Sequence, residues 1–261
     1  MKVVDSATGI RIALILEYDG TKYHGSQLQA NAPTIQGEME KALRKLTGER
    51  TRIKVASRTD AGVHAKGQVV SFRTGSALPL KAFVEGSNYY LPQDIAVKEA
   101  HRVDDSFDVR RGALSREYKY YILNSPTRSP MRQGFSYRVT GNLDIGAMNQ
   151  ACQALIGKHD FASFVTSDVG EKSTVRNVHK AAIEQDGDMI VLDMVANSFL
   201  PHQVRNTVGS LIRVGQGKMT VDEFYNMVEA RTLGLAGPTT PAGGLCLMRV
   251  NYPSPFEGDA R

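Results

Sequence analysis

The stretch K-V-A-S-R-T-D-A-G-V-H-A, residues 54–65, sets an arginine, a threonine and an aspartate in a row and closes them with Ala-Gly. A strand that only had to pack would not choose them. Read as an extended strand, the segment puts Arg58 and Asp60 on one face, roughly 7 Å apart at Cα, so their side chains can reach each other. A facing guanidinium keeps an aspartate ionised even in a closed, apolar pocket. A carboxylate held that way can act as a nucleophile. Gly62 lets backbone or substrate approach closely. The competing reading is plainer: a strand that ends in a polar turn, with His64 a structural histidine rather than a third member of a triad.

Other chemistries are poorly served. The six histidines (24, 64, 101, 159, 179 and 202) are scattered, and neither Cys152 nor Cys246 has a partner at ligand spacing, so no metal site is expected. Both cysteines are expected to be reduced and packed. G-S-L-I-R-V-G-Q-G-K resembles a phosphate loop only superficially, because the spacing to Lys218 is wrong and Met219 stands where Ser or Thr should bind magnesium. No G-x-G-x-x-G follows a strand and no G-x-S-x-G elbow exists. Carboxylate, arginine, tyrosine and histidine are left, and no cofactor is expected.

The elements that must position these groups alternate along the chain. I-R-I-A-L-I-L-E-Y, residues 10–18, reads as a strand, turned by Asp19-Gly20. Thr34 is the expected N-cap of a helix with the apolar stripe Ile35, Met39, Leu43 and Leu46 and with Gly48 at its end. A strand near 68–73, a helix near 80–89 and a strand near 94–103 follow. R-E-Y-K-Y-Y-I-L is a further strand, 144–156 a helix, and 176–196 two strands joined at Asp186-Gly187. In 198–218, Val204, Val208, Leu211 and Ile212 share one helical face, Pro201 suits the first turn, and Gly215 and Gly217 stop the helix. Arg205 and Asn206 lie beside that stripe, facing either a cleft or solvent. The reading is two α+β units of related pattern, residues 1–105 and 106–261, divided where D-D-S-F-D-V-R-R-G breaks the periodicity.

At 261 residues, 41% hydrophobic and 23% charged, the chain can bury a real core and looks like an ordinary soluble protein. M-K-V-V-D-S-A-T-G lacks the apolar h-region of a signal peptide, and no run approaches the ~18–20 apolar residues of a membrane span, so a cytoplasmic protein with no membrane partner is expected. The net charge of +5 divides evenly, 15 basic against 12 acidic residues before residue 106 and 17 against 15 after it, so neither half is a basic tail. Residues 110–138 stand out, with seven Arg or Lys against Glu117 alone and with Tyr118, Tyr120, Tyr121, Phe135 and Tyr137 threaded between them. Cations for phosphates and flat rings for bases make a surface for looped RNA. A solvated basic strand pair with core tyrosines would look the same.

Five motifs in series carry a resemblance that covers nearly the whole chain. R-T-D-A-G-V-H-A is similar to the active-site signature of the TruA-type tRNA pseudouridine synthases. E-Y-D-G-T-K-Y-H-G at 17–25 and T-I-Q-G-E-M-E-K-A-L at 34–43 resemble the family's amino-terminal motif, and R-E-Y-K-Y-Y its central strand. F-L-P-H-Q-V-R-N-T-V-G-S-L resembles the helix that closes its cleft, and G-P-T-T-P-A-G-G-L-C-L its last motif, in the right order.

The resemblance implies an α+β pseudouridine synthase fold. Two related halves carry antiparallel and mixed sheets joined into one central sheet flanked by helices, with the active-site cleft between the halves. It implies an isomerase that turns uridine into pseudouridine in the tRNA anticodon stem-loop, at positions 38, 39 and 40, as a homodimer and without a cofactor. Asp60 would be the nucleophile, paired with Arg58, attacking either ribose or uracil. Tyr118 would lie beside the flipped base, Arg205 and His202 would contact RNA, and Leu245 would wall the base pocket. The chain departs from the family at Ser26, where an aromatic is usual, at Ser57, usually Gly, and at Pro201, usually Tyr. A non-catalytic RNA-binding or chaperone protein of the same fold has no need of a paired carboxylate. A nucleoside hydrolase would need a second acid to activate water, and would not need the 110–138 segment.

Overall fold

The alternating apolar residues at the start of the chain form β1 (Ile10–Tyr18), in which Ile12, Leu14, Leu16 and Tyr18 are buried. These are the positions that share one face of a pleated strand. The computed structural model describes residues 9–166 and 173–253, so the amino-terminal stretch read above lies, but for Gly9, outside them. The chain divides into two compact units, Met1–Leu114 with Leu247–Arg261, and Ser115–Cys246. Both are mixed α+β.

In the first unit β1 is followed by α1 (Ile35–Thr47), β2 (Lys54–Val55), β3 (His64–Thr74), α2 (Leu80–Tyr90) and β4 (Ile95–Val103). β1 is central, antiparallel to β3 on one side (Leu14 opposite Val70) and to β4 on the other (Leu14 opposite Ala100). α1 is bounded as expected. The Thr34 hydroxyl accepts the Gly37 amide at 3.1 Å, and Gly48 closes the helix in the left-handed region at φ 75°. α2 buries Phe83 completely and sets its ring 5.9 Å from Phe72 of β3. One such ring is worth about 1.5–3 kcal/mol of burial.

The second unit runs β5 (Ser115–Asn124), β6 (Tyr137–Val139), α3 (Ile145–Cys152), β7 (Gly157–Asp160), β8 (Val175–Asp186), β9 (Met189–Ala196), α4 (Gln203–Gly215) and α5 (Val221–Ala230). β5, β9, β8 and β7 are successive antiparallel neighbours, and β6 pairs with β5 in parallel. α3 packs against β8 and α4, and the Asn149 carboxamide clasps the Ile183 backbone, donating to its carbonyl and accepting from its amide, both at 2.8 Å. Phe161, Phe164 and Phe224 form a ring cluster, with Phe164 5.7 and 6.1 Å from its two neighbours.

Several boundaries differ from the sequence reading. The helix expected over 144–156 ends at Cys152 and tightens into a 3₁₀ turn over Gln153–Leu155. Pro201 precedes α4 instead of sitting in its first turn, because the N-cap is His202, in the left-handed region at φ 60°. α5 was not anticipated, although Thr220 and Glu223 form a reciprocal capping box at its start.

The last strand, β10 (Leu245–Asn251), belongs from Leu247 onward to the first unit, beside β3. Residues 106–114 belong there too, whereas the sequence placed its division at 105/106. The reason is local. Phe107 packs on Tyr252 with ring centres 5.2 Å apart, the Tyr252 hydroxyl donates to the Val109 carbonyl, and the Leu114 amide donates to the Asn251 carbonyl. The polar turns of D-D-S-F-D-V-R-R-G break periodicity without ending the unit. Among the described residues no helix is long and apolar enough to cross a membrane.

Candidate active site

The segment that carries Arg58 and Asp60 is a loop, not the strand its alternation suggested. β2 stops at Val55 and β3 begins at His64. The last ladder-like bond is from the Ala56 amide to the Val69 carbonyl, at 2.8 Å. Beyond it the backbone finds other partners. The Thr59 amide donates to Ser26 Oγ at 2.9 Å, and the Ser26 amide donates to the Thr59 carbonyl at 3.0 Å. The Gly62 amide reaches the Tyr23 carbonyl at 3.2 Å. Residues 57–62 are thus docked on the 23–26 loop.

That second loop is anchored in turn. The Ile35 and Gln36 amides, in the first turn of α1 and without partners inside the helix, donate to the carbonyls of Gly25 and Ser26 at 3.3 and 3.1 Å. Gly25 sits at φ 93°, and a Cβ there would come within 2.8 Å of the Thr59 carbonyl, so only glycine allows the two loops to approach this closely. The result is a fixed backbone that leaves Arg58 exposed and Asp60 half-buried. A carboxylate so presented suits attack on a bound ligand, for which displacement by ~1 Å can cost ~10²-fold.

His64 sides with the structural reading. It is buried, its Nδ1 takes the Gly20 amide at 3.1 Å, and Asp19 Oδ1 lies 3.1 Å from the same nitrogen. Burial works against the charge on Asp19, but the hydroxyl and amide of Thr21, with His64 and Lys22 close by, outweigh it and hold the carboxyl below the usual range.

The other expected site residues lie in the second unit. Tyr118 is a buried residue of β5, opposite Met194, and its ring packs edge-on against Phe199 with centres 5.3 Å apart. Arg205 Nε donates to the Thr240 carbonyl at 2.7 Å, and the Thr240 hydroxyl returns a bond to the Arg205 carbonyl at 3.0 Å. The Tyr120 hydroxyl donates to the Pro241 carbonyl at 2.8 Å, and burial raises its pKa above the usual phenol value. A Cβ on Gly244 would lie 2.6 Å from the Tyr120 ring, so this glycine lets the chain lie flat on the tyrosine just before buried Leu245. The G-P-T-T-P-A-G-G-L segment is thereby tied to both β5 and α4. His202 is half-buried at the head of α4. Asn206, considered for a cleft, is instead fully buried, donating to the Phe164 carbonyl at 2.8 Å and accepting from the Thr239 hydroxyl at 2.6 Å.

The basic segment 110–138 is partly structural. Arg116 is buried and donates to the Asn197 carbonyl at 2.7 Å, Arg132 pairs with Asp188 at 2.6 Å, and Arg138 donates to the Pro126 carbonyl at 3.0 Å. Arg110, Arg111 and Arg128 are exposed. Both cysteines are buried and in no disulfide, and burial pushes the Cys152 thiol up to about 12. Among the described residues no group of three or more His, Cys, Asp or Glu could hold a metal ion. Sequence reasoning passed over Phe199, Gln68 and the bonding role of Ser26. Phe199 stood inside a quoted motif, and Gln68 opened the strand run Q-V-V-S-F-R.

A family model described as tRNA pseudouridine synthase matches residues 14–110 and 151–253. The tRNA pseudouridine synthase A of Geobacter sp. (strain M21) is 44% identical over 243 residues, 93% of this chain and 98% of its own. That of Myxococcus xanthus is 42% identical over 243 residues, covering 93% and 92%. That of Thermoanaerobacter sp. (strain X514) is 41% identical over 241 residues, covering 92% and 99%. The chain belongs to the tRNA pseudouridine synthase family, and is thus an isomerase of uridine in tRNA. The Asp60 loop and the Arg205 helix fall within the matched stretches, and Tyr118 falls between them.

Proposed function

We propose that the protein converts uridine to pseudouridine in the anticodon stem-loop of tRNA, at positions 38, 39 and 40, with Asp60 as the nucleophile. The N-glycosidic bond is cut, the base turns over, and it rejoins the ribose through carbon. The carboxylate attacks either ribose or uracil, and both routes require it charged and fixed. The observation that carries this reading is the Asp60 loop, a half-buried carboxylate on a backbone pinned to the 23–26 loop, within the stretch that matches the family.

Arg58, exposed on the same loop, is the partner assigned to the Asp60 carboxylate. Tyr118 serves the flipped uracil by stacking and proton transfer. Arg205 and His202 hold RNA, with Arg205 steadied by the Thr240 carbonyl, and Leu245 walls the base pocket. The protein acts in the cytoplasm as a homodimer whose cleft uses both subunits. The test is site-resolved mapping of pseudouridine in tRNA transcripts incubated with the purified protein. Product at positions 38, 39 and 40 supports the reading. Product elsewhere contradicts the site assignment, and tight binding with no product would leave a non-catalytic RNA binder.

A further inference from the structure

Gln68 of β3 is fully buried, as is Ser26, and Tyr18 and Thr59 are nearly so. An amide side chain in such a place must find partners or cost stability. Gln68 finds them on the loop that carries Asp60. Its Nε2 donates to the Ser57 carbonyl at 2.6 Å, and its Oε1 accepts the Ser57 amide at 3.2 Å. One carboxamide thus does for Ser57 what a neighbouring strand would do. The same Nε2 lies 3.3 Å from the Tyr18 hydroxyl, which is 2.8 Å from Thr59 Oγ1. Thr59 is held from its other side by Ser26, amide to Oγ and carbonyl to amide.

These bonds have a direction. Ser57 fixes which end of the Gln68 amide is the donor. Nε2 then donates to the Tyr18 oxygen, and one further bond joins the Tyr18 and Thr59 hydroxyls. The contacts fall on residues 57 and 59, which bracket Arg58 and immediately precede Asp60. Arg58 lies between the two clamped residues, and Asp60 follows the second of them.

We propose that Gln68 is a positioning residue for the reaction, which acts through Tyr18, Ser57 and Thr59 to hold the Asp60 carboxylate in register for attack. The inference rests on the reading of Asp60 as nucleophile. It assigns to Gln68 of β3, Tyr18 of β1 and Ser26 of the 23–26 loop a part in turnover that none of them plays by touching substrate. Ser26, a departure from the family's usual aromatic, is here the partner that closes the network on Thr59.

The test is steady-state kinetics on tRNA with Gln68→Met, which keeps length and loses every hydrogen bond. Turnover should fall by about tenfold or more, as expected for misplacement of a reacting group. KM should stay within about threefold, since no RNA contact is removed. Circular dichroism and active-site titration with tRNA report the folded fraction, so that kcat is counted per folded molecule. Wild-type kcat per folded molecule would overturn the proposal, because a purely structural residue lowers the folded fraction and leaves turnover alone. An equal loss in KM and kcat/KM at unchanged kcat would also overturn it.

If Gln68→Met does not fold, Tyr18→Phe carries the test. It removes a single hydroxyl from the relay and should lower kcat by about threefold to tenfold at unchanged KM, and a folded Tyr18→Phe with wild-type kcat sinks the idea. Asp60→Asn is measured alongside. An active Asn variant would undo the nucleophile reading itself. A dead Asn variant with wild-type Gln68→Met and Tyr18→Phe would undo the positioning inference alone.

Discussion

The loop 56–63 and the strand β5 carry their candidate side chains in opposite ways. In β5 the ladder to β9 fixes the backbone, and side chains alternate: Arg116, Tyr118, Tyr120 and Ile122 are buried while Glu117, Lys119 and Tyr121 between them are half-exposed. Each position is set by the strand, whatever its own side chain does. In the loop the ladder to β3 ends, its last bond being that of the Ala56 amide. The backbone amides and carbonyls of residues 57 and 59 are satisfied by Gln68 and Ser26, and by the close approach that Gly25 permits. Loops can carry reactive groups because a rigid scaffold holds them, and here the scaffold is built of buried side chains. Substitutions should therefore separate chemistry from positioning in β5, and confound them in the loop.

The sharpest contrast is at Tyr118. Tyr118→Phe removes only the hydroxyl from a strand that stands without it, so melting temperature and tRNA affinity should hold. Turnover should fall on the order of 10²-fold, the lower end for a lost acid or base. Tyr118→Ala should weaken binding as well, by about 1–3 kcal/mol if the ring stacks on a base. A Phe variant as active as wild type would remove the proton-transfer role and leave only a platform. Gly25→Ala is the loop counterpart. It forces a Cβ against the Thr59 carbonyl at positive φ, so turnover and stability should drop together, the latter by about 1–3 kcal/mol, read by kinetics and thermal melting on the same sample. Unchanged turnover would mean the two loops can part without moving Asp60. The smallest effect is expected at Thr220→Ala, which breaks the capping box of α5. Melting should shift by the equivalent of about 1 kcal/mol, with kcat unchanged.

What was legible in the sequence follows the same division. β1, α1 with both caps, α2, β4, β5 and the 186–187 hairpin were readable because period and capping are local properties. α5 carries a local signal of the same kind, the Thr220 and Glu223 capping box just past Gly215 and Gly217. The loop was misread as a strand because alternation of Arg58 and Asp60 looks the same in either state. What decides is where the backbone hydrogen bonds go, and their partners are Ser26, Tyr23 and Gln68, far off in sequence. The first unit runs on past residue 105 for a related reason, since the contacts of Phe107 and Val109 with Tyr252 join residues more than a hundred positions apart. Asp60, Arg58, Tyr118 and Arg205 were proposed from residue type and motif, whereas Asn206 is a core residue.

The central claim is that the Asp60 carboxylate is the reacting group, and Asp60→Asn tests it most directly. Asn is nearly isosteric, and none of the hydrogen bonds that pin residues 57 and 59 depends on the charge it removes. The variant should fold like wild type and bind tRNA within roughly tenfold, about 1.4 kcal/mol. Its amide cannot form the covalent adduct that a carboxylate nucleophile forms, so pseudouridine in the anticodon stem-loop should be undetectable. Measurable pseudouridine from this variant, with deamidation excluded by mass spectrometry, would contradict the account and make R-T-D-A-G a structural loop.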